Sequence, residues 1–237
     1  MTIKLIDSNN YIRRRLEAAA TGRLVRTLFN EAFQAADPTI YVWDGVGALQ
    51  RRRELFPDYK VGRKPAGESI YASMDVLRGV LKHTPALQVC VPGYEADDVI
   101  AHLAAKYKAV GVYIESTDQD FAALGVPMAH HTLKVPVEHV RLYKATVGDP
   151  RDKIPGIPGF GEKNWQKLEQ HGGLSDLQRI AETGVFHHID LSGRVLTWLT
   201  DANNCRLLNI YWQVVGFLPM TDDEINAHTT VGVPNYM

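Results

Sequence analysis

Cysteine is nearly absent from this chain: Cys90 and Cys205 are the only two in 237 residues, and neither stands in a CxxC or a Cys/His cluster. That excludes a disulfide scaffold, argues against structural zinc, and makes a reducing compartment, the cytoplasm, the default expectation. No apolar run approaches the ~18 residues a spanning helix needs, so no membrane partner is expected. The first residues, MTIKLIDSNNYIRRR, put a short apolar strand before the charges, the reverse of a secretory signal. Low-complexity tracts and repeats of solenoid length are missing too. So is any excess of one charge: 26 Lys and Arg stand against 27 Asp and Glu, a formal net charge of −1. Near-neutrality argues at first sight against a polyanionic partner. Yet the bases are concentrated in Arg13-Arg14-Arg15 and in the stretch Arg51 to Lys64, and many acids recur at strand ends. If bound cations cancel those acids, the remaining surface is basic.

What is present is enough apolar residue, 45% of the chain, to bury a core as one domain with a smaller appendage. TIKLID, TIYVWD and VYIESTD read as buried strands, each followed at once by an acid: Asp7, Asp44 and Asp118. Residues 11–35 and 68–82 have helical composition, and Ala96, Val99, Ile100, Leu103, Ala104 and Tyr107 recur at the spacing of an amphipathic helix. Strands alternating with helices predict an α/β fold with a mostly parallel sheet flanked by helices. Ligands bind beyond the carboxyl ends of such strands, where all three Asp residues would sit. From about residue 131 the character changes. A loop dense in proline and glycine, PRDKIPGIPGFGEK, precedes helix-like WQKLEQ, SDLQRI and GRVLTWLTDANNCRLLNIY, and the last dozen residues read as a loose tail. The expected division is 1–130 as the α/β core and 131–237 as a helical region.

One strand-end Asp is ordinarily a helix cap. Acids in a first helical turn, as in Glu95, Asp97 and Asp98, are stabilised there by the macrodipole. Asp120 follows Asp118 closely, and Asp149 and Asp152 flank the Pro/Gly loop. Gathered in one place, so many carboxylates would repel, and divalent cations would relieve the repulsion. Oxygen ligands without His or Cys suit Mg²⁺ or Mn²⁺. Two such ions ~4 Å apart can activate water and stabilise the leaving oxygen of a phosphodiester.

These segments resemble the 5′-nuclease superfamily: the 5′→3′ exonuclease domain of bacterial DNA polymerase I, phage 5′-exonucleases and flap endonucleases. LIDSNNYIRR is similar to its first-strand motif, VWDG supplies Asp44, GYEADDVIAHLA is nearly its signature, STDQD resembles the usual SGDKD, and GDPRDKIPGIPGFGEKNW resembles its duplex-binding segment. The match runs in order over about residues 1–215, without a polymerase domain, as in the free-standing phage or accessory bacterial type.

The resemblance implies a PIN-like core with an arch or gateway at about 51–92, and a helix–three-turn–helix element at about 148–172. It implies metal ligands at Asp7, Asp44, Glu95, Asp97, Asp98, Asp118, Asp120, Asp149 and Asp152, holding two or more Mg²⁺ or Mn²⁺ ions. Lys60 and Arg63 would meet the scissile phosphate and Tyr59 would stack on a nucleotide, with Arg14 and Arg52 contacting substrate. Gly156, Gly159, Gly161 and Lys163 would grip a duplex strand, with K⁺ in that loop. The implied partner is DNA with a 5′ flap, nick, gap or free 5′ end, or an RNA–DNA hybrid, met by a monomer in replication, repair or DNA degradation.

Ser8, Thr117 and Lys153 depart from the family's Gly, Gly and Asn, and the span from Asp120 to Asp149 is short. A PIN-type ribonuclease is the first alternative, disfavoured by the Asp149/Asp152 pair and the GIPGFG loop. The second is a non-catalytic branched-DNA-binding module, disfavoured because a binder gains nothing from acids facing phosphates.

Overall fold

The computed structural model describes residues 1–18, 20–65, 67–129 and 135–233. It divides into two compact units: residues 1–50, 64–132 and 219–237 form one, and 51–63 with 133–218 form the other. The expected boundary at 130/131 lies outside the described residues.

In the first unit, Ile3–Asp7 (β1), Thr39–Val42 (β2), Leu87–Val89 (β3) and Val112–Glu115 (β4) are parallel, and Thr229–Val231 (β5) closes the edge antiparallel to β3. The order is β4-β1-β2-β3-β5. Alternation sorts the side chains. Ile6 and Tyr41 face a cluster with Leu24, Leu28, Leu77 and Leu81, carried by Thr21–Phe33 (α2) and Glu68–Leu81 (α4). Leu5, Ile40 and Ile114 point the other way, the side covered by Ala96–Tyr107 (α5), whose Val99, Ile100 and Leu103 are buried. Ser8–Ala18 (α1) leaves β1 without an intervening loop. The chain runs one way from β1 through β2 to β3 and then crosses to the far side of β1 for β4. The reversal lies between β1 and β4, where open parallel sheets form their ligand crevice.

Two sequence expectations change here. The short strand LQV was not among the three apolar runs, because Gln88 interrupts it; that residue is 4% exposed and accepts the Trp43 Nε1–H at 3.1 Å. The tail is not loose through its described part. Asp222–Ala227 begins with a Thr221/Glu224 capping box, and β5 follows it directly.

The second unit contains Gln50–Leu55 (α3) from Arg51 on, Val140–Val147 (α6), Glu162–His171 (α7), Leu174–Thr183 (α8), Gly193–Leu199 (α9) and Ala202–Val215 (α10). Its core gathers Leu142, Trp165, Leu177, Ile180, Leu199 and Leu208, all at 0 or 1% exposure. The Pro/Gly loop 148–161 links α6 to α7. Gly156 sits there at φ 69°, and an added Cβ would meet Gly148 N at 2.7 Å, so backbone crowding demands glycine at this turn.

Candidate active site

The carboxylates of the first unit collect at the carboxyl edge of its sheet. Asp7 ends β1 and is 6% exposed. Its Oδ1 accepts the Asn10 N–H at 3.1 Å, in the first turn of α1, and its Oδ2 accepts the Ser116 hydroxyl at 2.9 Å. Ser116 Oγ in turn accepts the Asp118 N–H at 3.1 Å, while Asn10 Oδ1 accepts the Thr117 hydroxyl at 3.1 Å. The junction of β1 with α1 and the loop after β4, on either side of the reversal, are therefore tied together by Ser116 and Asn10. Asp118 also caps the 3-10 helix Gln119–Leu124 by accepting the Asp120 N–H at 3.1 Å.

Beyond β2, Asp44 Oδ1 accepts the Ala96 N–H at 2.9 Å, and Asn9 Nδ2 donates to Asp44 Oδ2. The Ala96 bond joins the β2 edge to the first residue of α5, and the Asn9 bond joins it to α1. Glu95 caps α5, and the Asp98 carboxylate accepts the Glu95 N–H at 3.2 Å, closing a capping box. Glu95 and Asp98 are 6% and 0% exposed, a burial made tolerable by the positive end of the helix. Gly45 is obligatory beside Asp44, because a Cβ there would strike the Val91 carbonyl.

Electrostatics show how close the set lies. Burial, reinforced by the charges of Asp44 and Asp118, pushes the Asp7 carboxyl up to about 7, against the pull of the Asn10 and Ser116 hydrogen bonds. A cation would reverse that balance, and oxygen-only donors are what Mg²⁺ and Mn²⁺ prefer. The residues fit a hard divalent ion by chemistry. Asp7, Asp44, Glu95, Asp98 and Asp118 are each meanwhile held by a protein donor, and among the described residues no three Asp, Glu, His or Cys side chains already form a ligand group. A hollow of about 720 Å³ does occur in the first unit, but at the amino ends of the strands, against Thr2, Lys4, Asp37 and Thr39. It is remote from this chemistry.

In the second unit, Asp149 and Asp152 share a tight hairpin. Asp149 exchanges backbone hydrogen bonds with Ile154 at 2.9 and 3.0 Å, and Asp149 O accepts the Asp152 N–H at 3.2 Å. Burial alone would raise the Asp149 carboxyl, but the Lys144 ammonium at 2.9 Å and the N–H groups of Arg151 and Asp152 hold it below the usual range. Lys60 lies 3.8 Å from Asp152 Oδ2, and the Tyr59 hydroxyl donates to the same oxygen at 3.4 Å.

The basic stretch departs from expectation. Residues 51–63 belong to the second unit and 64–92 to the first. Arg52 is 3% exposed and donates to Val214 O and Gly216 O, each at 3.0 Å. Tyr59 is 2% exposed, with the Arg52 and Lys60 cations over its ring at 5.7 and 4.8 Å. In this arrangement the Tyr59 ring is covered and the Arg52 guanidinium is engaged with backbone carbonyls, so both help hold the loop together. Lys60 is also buried, whereas Arg63, Arg14, Lys163, Gly159 and Gly161 are exposed. Gly156, as described, meets a packing demand. Sequence reasoning missed Asn9, Asn10 and Ser116, although two Asn residues within three positions of a strand-end Asp were a usable signal.

The family model for the 5′-3′ exonuclease N-terminal resolvase-like domain matches residues 2–147. The chain belongs to that 5′→3′ exonuclease family. Among its relatives, the flap endonuclease Xni of Shewanella sediminis is 33% identical, over 69% of this chain and 74% of that one. The fold is that of the T5 D15 protein co-crystallised with metal ions (TM-score 0.70, 21% identity, 91% of this chain and 89% of that one). It is likewise that of the T5 D15 flap endonuclease in a pseudo-enzyme-product complex with DNA and metal ions (TM-score 0.63, 21% identity, 91% and 89%). As a member of the 5′→3′ exonuclease family, the chain is a structure-specific 5′ nuclease. Among the described residues no helix is long and apolar enough to cross a membrane, and both cysteines are free thiols.

Proposed function

We propose that this 5′ nuclease hydrolyses DNA at 5′ flaps, nicks, gaps and free 5′ ends, using divalent cations held by its strand-end carboxylates. The observation that carries this reading is Asp7: a buried carboxyl pushed up to about 7 beside two further acids, at the reversal point of a parallel sheet. Asp7, Asp44, Glu95, Asp98 and Asp118 would hold the first ion, with Asp97 and Asp120 at their flanks, and Asp149 with Asp152 a second. When bound, the ions supply a lowered water pKa and stabilisation of charge on the phosphate.

The chain's own residues do the rest. Asn9, Asn10 and Ser116 orient the carboxylates, and the bonds from Asn10 and Ser116 favour the ionised form of Asp7 against its burial. Arg63 and Arg14, both exposed, meet substrate phosphates, and Lys163 with the Gly159–Gly161 backbone at the start of α7 holds duplex phosphates by charge and N–H groups. Support for metal ions and DNA as ligands comes from the T5 D15 structures, and for action at flaps from the flap endonuclease Xni relatives. Mg²⁺ or Mn²⁺ is the reading favoured by the oxygen donors, and K⁺ in the Pro/Gly loop, action on RNA–DNA hybrids and a monomeric state belong to the same proposal.

End-labelled 5′-flap, nicked, blunt and RNA–DNA substrates, assayed with Mg²⁺ and with EDTA, test it. Cleavage of the flap near its 5′ junction in Mg²⁺ alone is expected. Cleavage confined to single-stranded RNA would transfer the chain's activity to the PIN-type alternative.

A further inference from the structure

Asp7 and the Asp149/Asp152 pair differ in what neutralises them. At the sheet edge Asp7 takes only neutral donors, an N–H and a hydroxyl. In the second unit both aspartates carry an ammonium group. Lys144, in the last turn of α6, reaches Asp149 Oδ2 at 2.9 Å, and the Arg151 N–H occupies the other oxygen at 2.9 Å. Lys60 approaches Asp152 Oδ2 at 3.8 Å, and the backbone fixes this pair a second time through Lys60 N–H to Asp152 O at 3.2 Å.

The geometry is built rather than incidental. Lys60 is 8% exposed and holds a left-handed backbone at φ 53°, unusual for a residue with a Cβ. Gly148, at φ 103°, reverses the chain after α6 so that Asp149 folds back toward Lys144; a Cβ there would press on Ile154 O at 2.8 Å. Lys144 and Asp149 are 24% and 11% exposed, so their attraction is only partly screened. A divalent ion would need the same oxygen lone pairs, at ~2.0–2.1 Å for Mg²⁺. It must displace the ammonium groups to bind.

We propose that Lys144 and Lys60 are built-in counter-cations that keep divalent metal off Asp149 and Asp152 in the DNA-free enzyme. This rests on the reading of Asp149 and Asp152 as metal ligands.

The test is calorimetric titration of the full, DNA-free chain with Mn²⁺. Wild type is expected to bind Mn²⁺ with a stoichiometry that Asp149→Asn does not change. Lys144→Met combined with Lys60→Met should add a binding class about tenfold or more tighter than anything wild type shows at these aspartates, the scale of one lost charge-assisted pair. Adding Asp149→Asn should remove that class. Where circular dichroism shows the double variant unfolded, Lys144→Gln alone carries the same expectation. A wild type that already loses an ion on Asp149→Asn overturns the proposal, and so do folded lysine variants that gain none. Loss of sheet-edge binding in Asp7→Asn reports on the proposed function separately, so the two failures are distinguishable.

Discussion

Replacing Arg52 by alanine separates a structural role from a substrate-binding one. The side chain is 3% exposed, and its Nε and Nη2 satisfy the carbonyls of Val214 and Gly216 at 3.0 Å each. A hydrogen bond from a charged donor contributes ~1.5–3 kcal/mol, and removal leaves the acceptors buried without a donor. The two bonds share one side chain and do not add fully, so the loss should be ~3–5 kcal/mol. For a chain of this size that lowers the melting temperature by about 10 °C. Lysine should not rescue, because one point charge cannot serve two carbonyls in a fixed fork. Thermal unfolding gives the first readout. DNA affinity against salt, at a temperature where both proteins are folded, gives the second and should be unchanged. An unshifted melting temperature, with the slope of log K against log salt shallower by about one, would refute the reasoning and restore Arg52 to phosphate binding.

Ser116→Ala removes the hydroxyl shared by Asp7 and the Asp118 N–H, and should weaken Mn²⁺ binding ~10- to 100-fold in a calorimetric titration, as loss of a group orienting a metal ligand typically does. Lys153 occupies φ 63°, where Asn is far better tolerated; Lys153→Asn should raise stability by ~0.5–1 kcal/mol in urea unfolding. Asp7 binds its proton more tightly folded than unfolded, so in EDTA its contribution to stability is full below about pH 4 and lost as pH rises to about 7. Urea midpoints should show that fall in wild type, and Asp7→Asn should lack it.

The sheet and its acidic edge were legible because strand period and strand-end acids are local signals. Val, Ile and Asp at β1, β2 and β4 carry them unaided. Strand β3 was hidden by Gln88, whose partner Trp43 lies 45 positions away. The burial of the basic stretch was hidden for a physical reason: Arg52, Tyr59 and Lys60 have the composition of a phosphate funnel, and their tertiary partners in α10 and the Asp149 hairpin lie about 90 or more positions away. Ser116 and Asn10 act through residues more than 100 positions distant, beyond any periodicity.

Single-turnover cleavage of a 5′-flap duplex by Asp44→Asn and Asp118→Asn, with DNA affinity measured in parallel, tests the central claim most directly. The account predicts a rate lower by ~10²-fold or more at saturating DNA, with affinity largely unchanged. Cleavage at the wild-type rate by either variant would contradict it.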